Sequence, residues 1–222
     1  MTVLIVVLMF GIFILIDHYF RTAKQPVVEA PVVPERKTLN PASPVVGGFK
    51  LPENLRYHPG HAWALSESPT LVRVGMDDFA SKMVGKIERI TLPQRGQWIR
   101  QGQKIWTLFR DGKSVDMLSP IEGEVTDINE DVLRDPEQAR TDPYADGWLV
   151  AVHSPDAKIN LRNLLSGALA RAWTEQSAAR LRAMLPVTVG ALAQDGGTAM
   201  DDTTSHLPDQ DWAELAKEFF LS

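Results

Sequence analysis

Residues 51–155 are written as short apolar or alternating runs, each stopped within a few residues by glycine, proline or aspartate. Runs of that kind suit the strands of an all-β unit. The spacing predicts strands over residues 62–65, 71–75, 86–92, 104–109, 114–118, 123–128 and 148–153. Two of them open alike, Gly85-Lys-Ile-Glu-Arg-Ile90 and Gly123-Glu-Val-Thr-Asp-Ile128, as two quasi-equivalent halves would. Between these echoes, Asp111-Gly112 separates two apolar runs, 106–109 and 115–118. That dipeptide is the strongest short-range signal for a two-residue hairpin turn with positive φ at both central positions, and Lys113 follows it directly. One helix is expected inside the region, over 77–84, with Phe79, Met83 and Val84 on one side and Asp77 near its start.

The flanks read differently. Val3-Leu-Ile-Val-Val-Leu-Met-Phe-Gly-Ile-Phe-Ile-Leu-Ile16 continues through Tyr19 and Phe20 to Arg21, about the length a helix needs to cross a bilayer. Residues 1–21 are therefore expected to form a transmembrane anchor. A signal peptide fits less well, because no basic region precedes the apolar run and no small-x-small cleavage site follows it. Arg21, Lys24, Arg36 and Lys37 all follow the span. The positive-inside rule then makes this a single-pass protein of the cell (inner) membrane with its globular domain cytoplasmic. Residues 22–50 carry Pro26, Pro31, Pro34, Pro41 and Pro44 and end at Gly47-Gly48, the composition of an extended linker.

The folded domain is expected over 51–185. After Pro155 a helical stripe begins with Leu161, Leu164, Leu165, Ala168, Leu169, Ala172 and Trp173 and continues weakly to Leu185. Residues 186–206 read as a flexible linker and 207–222 as a short amphipathic helix. Its apolar positions either fold back on their own domain or fill a groove on a partner.

Composition removes several chemistries. The chain has no cysteine, which excludes thiol catalysis, disulfides and cysteine zinc sites, and its net charge of -5 argues against a nucleic-acid partner. His58 and His61 flank Pro59-Gly60 with no third ligand nearby, so structural roles beside Trp63 are expected rather than a metal. Glu122 and Glu124 are alternate residues that meet solvent on one side of a strand and are assigned no chemistry. Gly96 and Gly102 match turns, not a phosphate cradle. No catalytic site is expected.

Tyr57-His-Pro-Gly-His61-Ala-Trp63, then Val74-Gly75-Met76, Ala80, Gly85, Ile87, Leu92-Pro93 and Gly96, resemble the H protein of the glycine cleavage system. The most specific run is Asn129-Glu130, Leu133, Asp135-Pro136-Glu137 and Asp142-Pro143-Tyr144-Ala-Asp-Gly147-Trp148-Leu149. The resemblance implies a mainly β, lipoyl-domain-like fold. This is a flattened barrel or sandwich of two small sheets with a carrier hairpin at one end and C-terminal helices. It also implies a lipoyl group on a lysine at the hairpin tip, whose arm moves aminomethyl groups or electrons between enzyme sites.

In the family that lysine stands eight residues before the proline ending the second hairpin strand; counting back from Pro120 gives Gly112. The family's Glu-Ser then falls on Phe109-Arg110, and Lys113 lies one residue out of register, turned across the hairpin by strand alternation. A second alignment restores Lys113 to the tip and sets Arg110-Asp111 against Glu-Ser. It must abandon the alternation up to Pro120 or place a bulge there.

The expected function is a non-enzymatic interaction or assembly module, an H-protein-like domain without its lipoyl group. It would be held to the membrane by its N-terminal helix and meet protein partners through hairpin 110–114 and helix 207–221. The alternative is a working carrier with lipoate on Lys113 and glycine cleavage enzymes as partners. An adaptor of an envelope export machine is weaker, because such proteins show long coiled-coil hairpins.

Overall fold

The computed structural model describes residues 43–185 and 208–220. The expected span 1–21, residues 22–42 and the expected linker 186–206 lie outside the described residues. No helix among the described residues is long and apolar enough to cross a membrane.

In chain order the strands begin with β1 (Val45–Val46), β2 (Phe49–Lys50), β3 (Arg56–His58), β4 (Ala62–Ser66) and β5 (Leu71–Met76). Helix α1 (Asp78–Val84), β6 (Arg89–Thr91), β7 (Trp98–Ile99), β8 (Lys104–Arg110), β9 (Lys113–Leu118) and β10 (Gly123–Ile128) follow. Then come the short helices α2 (Glu130–Arg134) and α3 (Glu137–Thr141), β11 (Val150–His153), α4 (Ala157–Arg162), α5 (Gly167–Met184) and α6 (Asp209–Phe220). A six-stranded antiparallel sheet runs β3-β4-β5-β11-β10-β7, and a three-stranded one runs β6-β8-β9.

Alternation builds the core. Val72, Val74, Val125, Val150 and Val152 of the larger sheet and Ile90, Leu108, Val115 and Met117 of the smaller one belong to one buried cluster. Strand β4 is buried on both faces: Ala62 and Ala64 join that cluster, while Trp63 and Leu65 join Leu51, Leu55, Tyr57, Tyr144 and Ala170 in a second. Trp63 lies so close to Gly75 that a Cβ there would stand 2.8 Å from the indole, so only glycine fits.

Three expectations need correction. Residues 45–50, placed in the linker, form the β1–β2 hairpin instead. Val46 and Phe49 are buried, with the Phe49 ring 4.7 Å from that of Phe79, so the domain begins before Leu51. The strand expected over 86–92 shrinks to β6, because the amide of Ile87 donates to the Glu137 carboxylate rather than to a ladder. Asn129 caps α2 and also donates to the carbonyls of Asp146 and Trp148, so the run ending at Leu149 folds as two short helices and a loop.

Last, the helical stripe beyond Pro155 is broken. Leu165 exchanges backbone hydrogen bonds with Tyr57 at 2.8 and 2.9 Å, and this bridge resets the helical phase. The buried side of α5 is Ala170, Thr174, Ser177, Ala178 and Leu181, while Leu169 is exposed.

Candidate functional site

The β8–β9 hairpin turns at Asp111 (φ +46°) and Gly112 (φ +72°), the two positive values the sequence predicts. From the turn the ladder pairs Arg110 with Lys113, Phe109 with Ser114, Leu108 with Val115, Thr107 with Asp116 and Trp106 with Met117. The extra residue of the hairpin is Ile105 in β8, so β9 itself runs regularly from Lys113 to Met117. The bulge that would bring Lys113 to the tip is not in that stretch.

Residues two apart on a strand share a face. Lys113 therefore shares its face with the buried Val115 and Met117 and is itself half-buried. The outward parity belongs to Gly112, followed by the exposed Ser114 and by Asp116. A Cβ on Gly112 would meet nothing within 4 Å, so the tip has room for a side chain and has none. A lipoyl arm needs an amine at that position. The residues present do not supply one.

Arg110 sits across from Lys113 and is only 7% exposed. Its Nη1 donates to the carbonyl of Val84, the last residue of α1, and its Nε donates to the Asp111 carboxylate at 3.0 Å. Helix C-termini carry carbonyls without intrahelical partners and favour a cation, so Arg110 ties the hairpin end to α1. Along β8 the Arg89 guanidinium lies 3.5 Å from the Phe109 ring centroid. Lys104 and Thr107 both donate to Asp116, at 2.8 and 2.7 Å; these bonds, the lysine's first, hold its carboxyl below the usual carboxylate range.

A second polar group lies at the β3–β4 turn. His61 is 1% exposed with φ +60°, and its Nδ1 is 2.8 Å from an Asp77 oxygen. The other Asp77 oxygen caps α1 through the amide of Ala80. Asp78 pairs with Lys82 at 3.0 Å, and the Tyr144 hydroxyl accepts from the Asp78 amide while donating to the Lys50 carbonyl. Burial first, then neighbouring acidic or phenolic groups, push the phenols of Tyr57 and Tyr144 well above their usual range. Burial, then the neighbouring His61, pushes His58 down, and its Nδ1 accepts from the Gly60 amide at 3.0 Å. The hydrogen bonds of both histidines are to neighbouring groups, and no group of three potential ligands gathers among the described residues.

Terminal helix α6 folds back on its own domain. Trp212, Leu215, Ala216, Phe219 and Phe220 are buried, and the helix packs on β9 and α5. The sequence carries local signals for the turn and for the Asp77 cap. It carries none for the roles of Arg110 and of the His61–Asp77 pair, whose partners lie 26 and 16 residues away.

Two small antiparallel sheets with a hairpin at the tip of the smaller one, and helices alongside, define a lipoyl-domain-like β-sandwich. The family model for the glycine cleavage H-protein matches residues 55–177, and the chain belongs to that family. It is 30% identical over 128 residues to the glycine cleavage system H protein of Anaeromyxobacter sp. (strain K), covering 58% of this chain and 98% of that one. It is 32% identical over 130 residues to a probable glycine cleavage system H protein 2 of Sulfurisphaera tokodaii, covering 56% and 86%. The crystal structure of a glycine cleavage system H protein from Mycobacterium marinum matches at 25% identity and TM-score 0.48, covering 57% of this chain and 98% of that one.

Proposed function

We propose that this chain is an H-protein-like domain that carries no lipoyl group. It serves as an interaction or assembly module held at the cytoplasmic face of the inner membrane by residues 1–21. One observation carries the reading: Gly112 occupies the outward tip position, while Lys113 shares the face of Val115 and Met117. The bond from Arg110 to the Val84 carbonyl supports it, since a tip anchored to α1 suits a fixed contact surface better than a swinging arm. Hairpin 110–114 and the terminal helix 207–221 are the surfaces offered to protein partners. The apolar face of that helix is already covered, so its outer side is polar.

The alternative, lipoate on Lys113 and service to glycine cleavage enzymes, draws on family membership and on the nearness of Lys113 to the turn. Fractionation and intact mass of the protein from its native host separate the two. The proposal expects an unmodified chain in the membrane fraction. A lipoyl adduct on Lys113 overturns the loss of carriage, and recovery in the soluble fraction overturns the tether.

A further inference from the structure

The six-stranded sheet has two edge strands, and among the described residues only one is closed. At β3, Tyr57 exchanges both backbone bonds with Leu165. At the other edge no strand follows β7, and its Trp98 is 51% exposed. Val125 of β10 bonds through its backbone to Gln97 and Gly96, so antiparallel alternation makes the neighbouring Glu124–Trp98 pair the unbonded one. The amide and carbonyl of Trp98 therefore point away from β10. Arg100, the next residue of that parity, gives its amide to the Gln103 side chain, which leaves Trp98 as the open position of the edge. A hollow of about 620 Å³ lined by Trp98, Arg100 and residues 101–103 flanks the strand.

Two charges beside this edge are also unmet. Trp98 and Arg100, two residues apart, share the outer face while Ile99 between them is buried. Glu124 stands across from Trp98 on β10, exposed like Arg100, and its Oε1 lies 4.0 Å from where a Cβ on Gly96 would be. Neither the Arg100 guanidinium nor the Glu124 carboxylate has an ion-pair or hydrogen-bond partner among the described residues.

We propose that β7 pairs antiparallel with β7 of a second copy of this chain, on a two-fold axis at Trp98. Each Trp98 exchanges its two open backbone bonds with its counterpart, the indoles lie side by side, and the two sheets become one. In that register Arg100 stands opposite Gly96 of the second copy, where no side chain blocks it and the unmet Glu124 carboxylate is near. Symmetry makes this contact twice, and the charge match selects a second copy over an arbitrary strand. The inference names a partner for the assembly module proposed above and rests on that reading, though not on residues 1–21 or on the state of Lys113.

The test is the molar mass of the full-length protein in detergent micelles, read by light scattering across a concentration series. The unsubstituted chain should dimerise. Arg100→Glu and Glu124→Arg each set like charges against each other at both symmetry-related contacts, so each should weaken association more than about tenfold. An equimolar mixture of the two variants should associate again, as should one chain carrying both substitutions. Because the chain has no cysteine, Trp98→Cys places a single thiol on the axis. Its Cα atoms would stand about 5.5 Å apart, within disulfide range. Oxidation should give a covalent dimer from Trp98→Cys and far less from Ser114→Cys, on the exposed side of the hairpin. A monomeric unsubstituted chain, association indifferent to the charge reversals, a mixture that stays apart, or equal cross-linking from both cysteines would overturn the proposal. A monomer with Lys113 unmodified would leave the loss of carriage standing, and a dimer bearing a lipoyl adduct would overturn only that loss.

Discussion

Arg110 donates from its guanidinium to the backbone carbonyl of Val84, joining the tip of the β8–β9 hairpin to the end of α1. The side chain is 8% exposed, so solvent screens the bond little. Hydrogen bonds to charged groups contribute about 1.5–3 kcal/mol. Arg110→Met keeps the length and removes the donor. It should lower stability to denaturant by that amount and speed amide exchange over 110–114. Unchanged exchange at the tip would show that the turn holds itself.

Gly112→Lys tests how the tip is built. No atom lies within 4 Å of the added Cβ, so the cost is that of a left-handed backbone at φ +72°, about 1–2 kcal/mol. A loss of several times that in a denaturation series would mean the tip packs against something.

The turn itself was legible because Asp111-Gly112 acts locally, and strand 123–128 because Val125 alternates with exposed neighbours. Residues 45–50 were hidden by Pro44 and Gly47-Gly48, which read as linker. Phe49 becomes core only once Phe79 is in place, and Val46 only once Leu51, Tyr57 and Trp63 are. The stripe through Leu169 failed for a similar reason: the Leu165–Tyr57 bridge is a tertiary contact that no helical period contains. The same distance hid the site. Arg110 looks like any strand residue before a turn, and its partner lies in a helix 26 residues earlier.

Tyr57 and Tyr144 set an alkaline limit. Burial raises both phenols, so above the unfolded phenol pKa, about 10, the unfolded chain loses protons that the native chain keeps. Stability from these groups is therefore whole below about pH 10 and declines above it, by up to about 1.4 kcal/mol per pH unit for each phenol. Stability measured from pH 8 to 12 should show this fall, and Tyr144→Phe should flatten it. A slope unaffected by the substitution would contradict the assignment.

Phe220→Ala should release α6. Truncating a buried phenylalanine costs about 3–5 kcal/mol, a large share of what docks a helix with four large buried side chains. Amide exchange should accelerate through residues 209–220 while β4, β5 and β11 keep their protection. Equal acceleration in those strands would show that α6 and the sandwich unfold as one unit.

The loss of carriage is tested most directly by incubating the full-length protein with lipoate, ATP and an active lipoyl ligase, beside a family H protein with the tip lysine as positive control, and reading intact masses. The account predicts a lipoyl adduct on the control and an unchanged mass for this chain. An adduct mapped to Lys113 would contradict it.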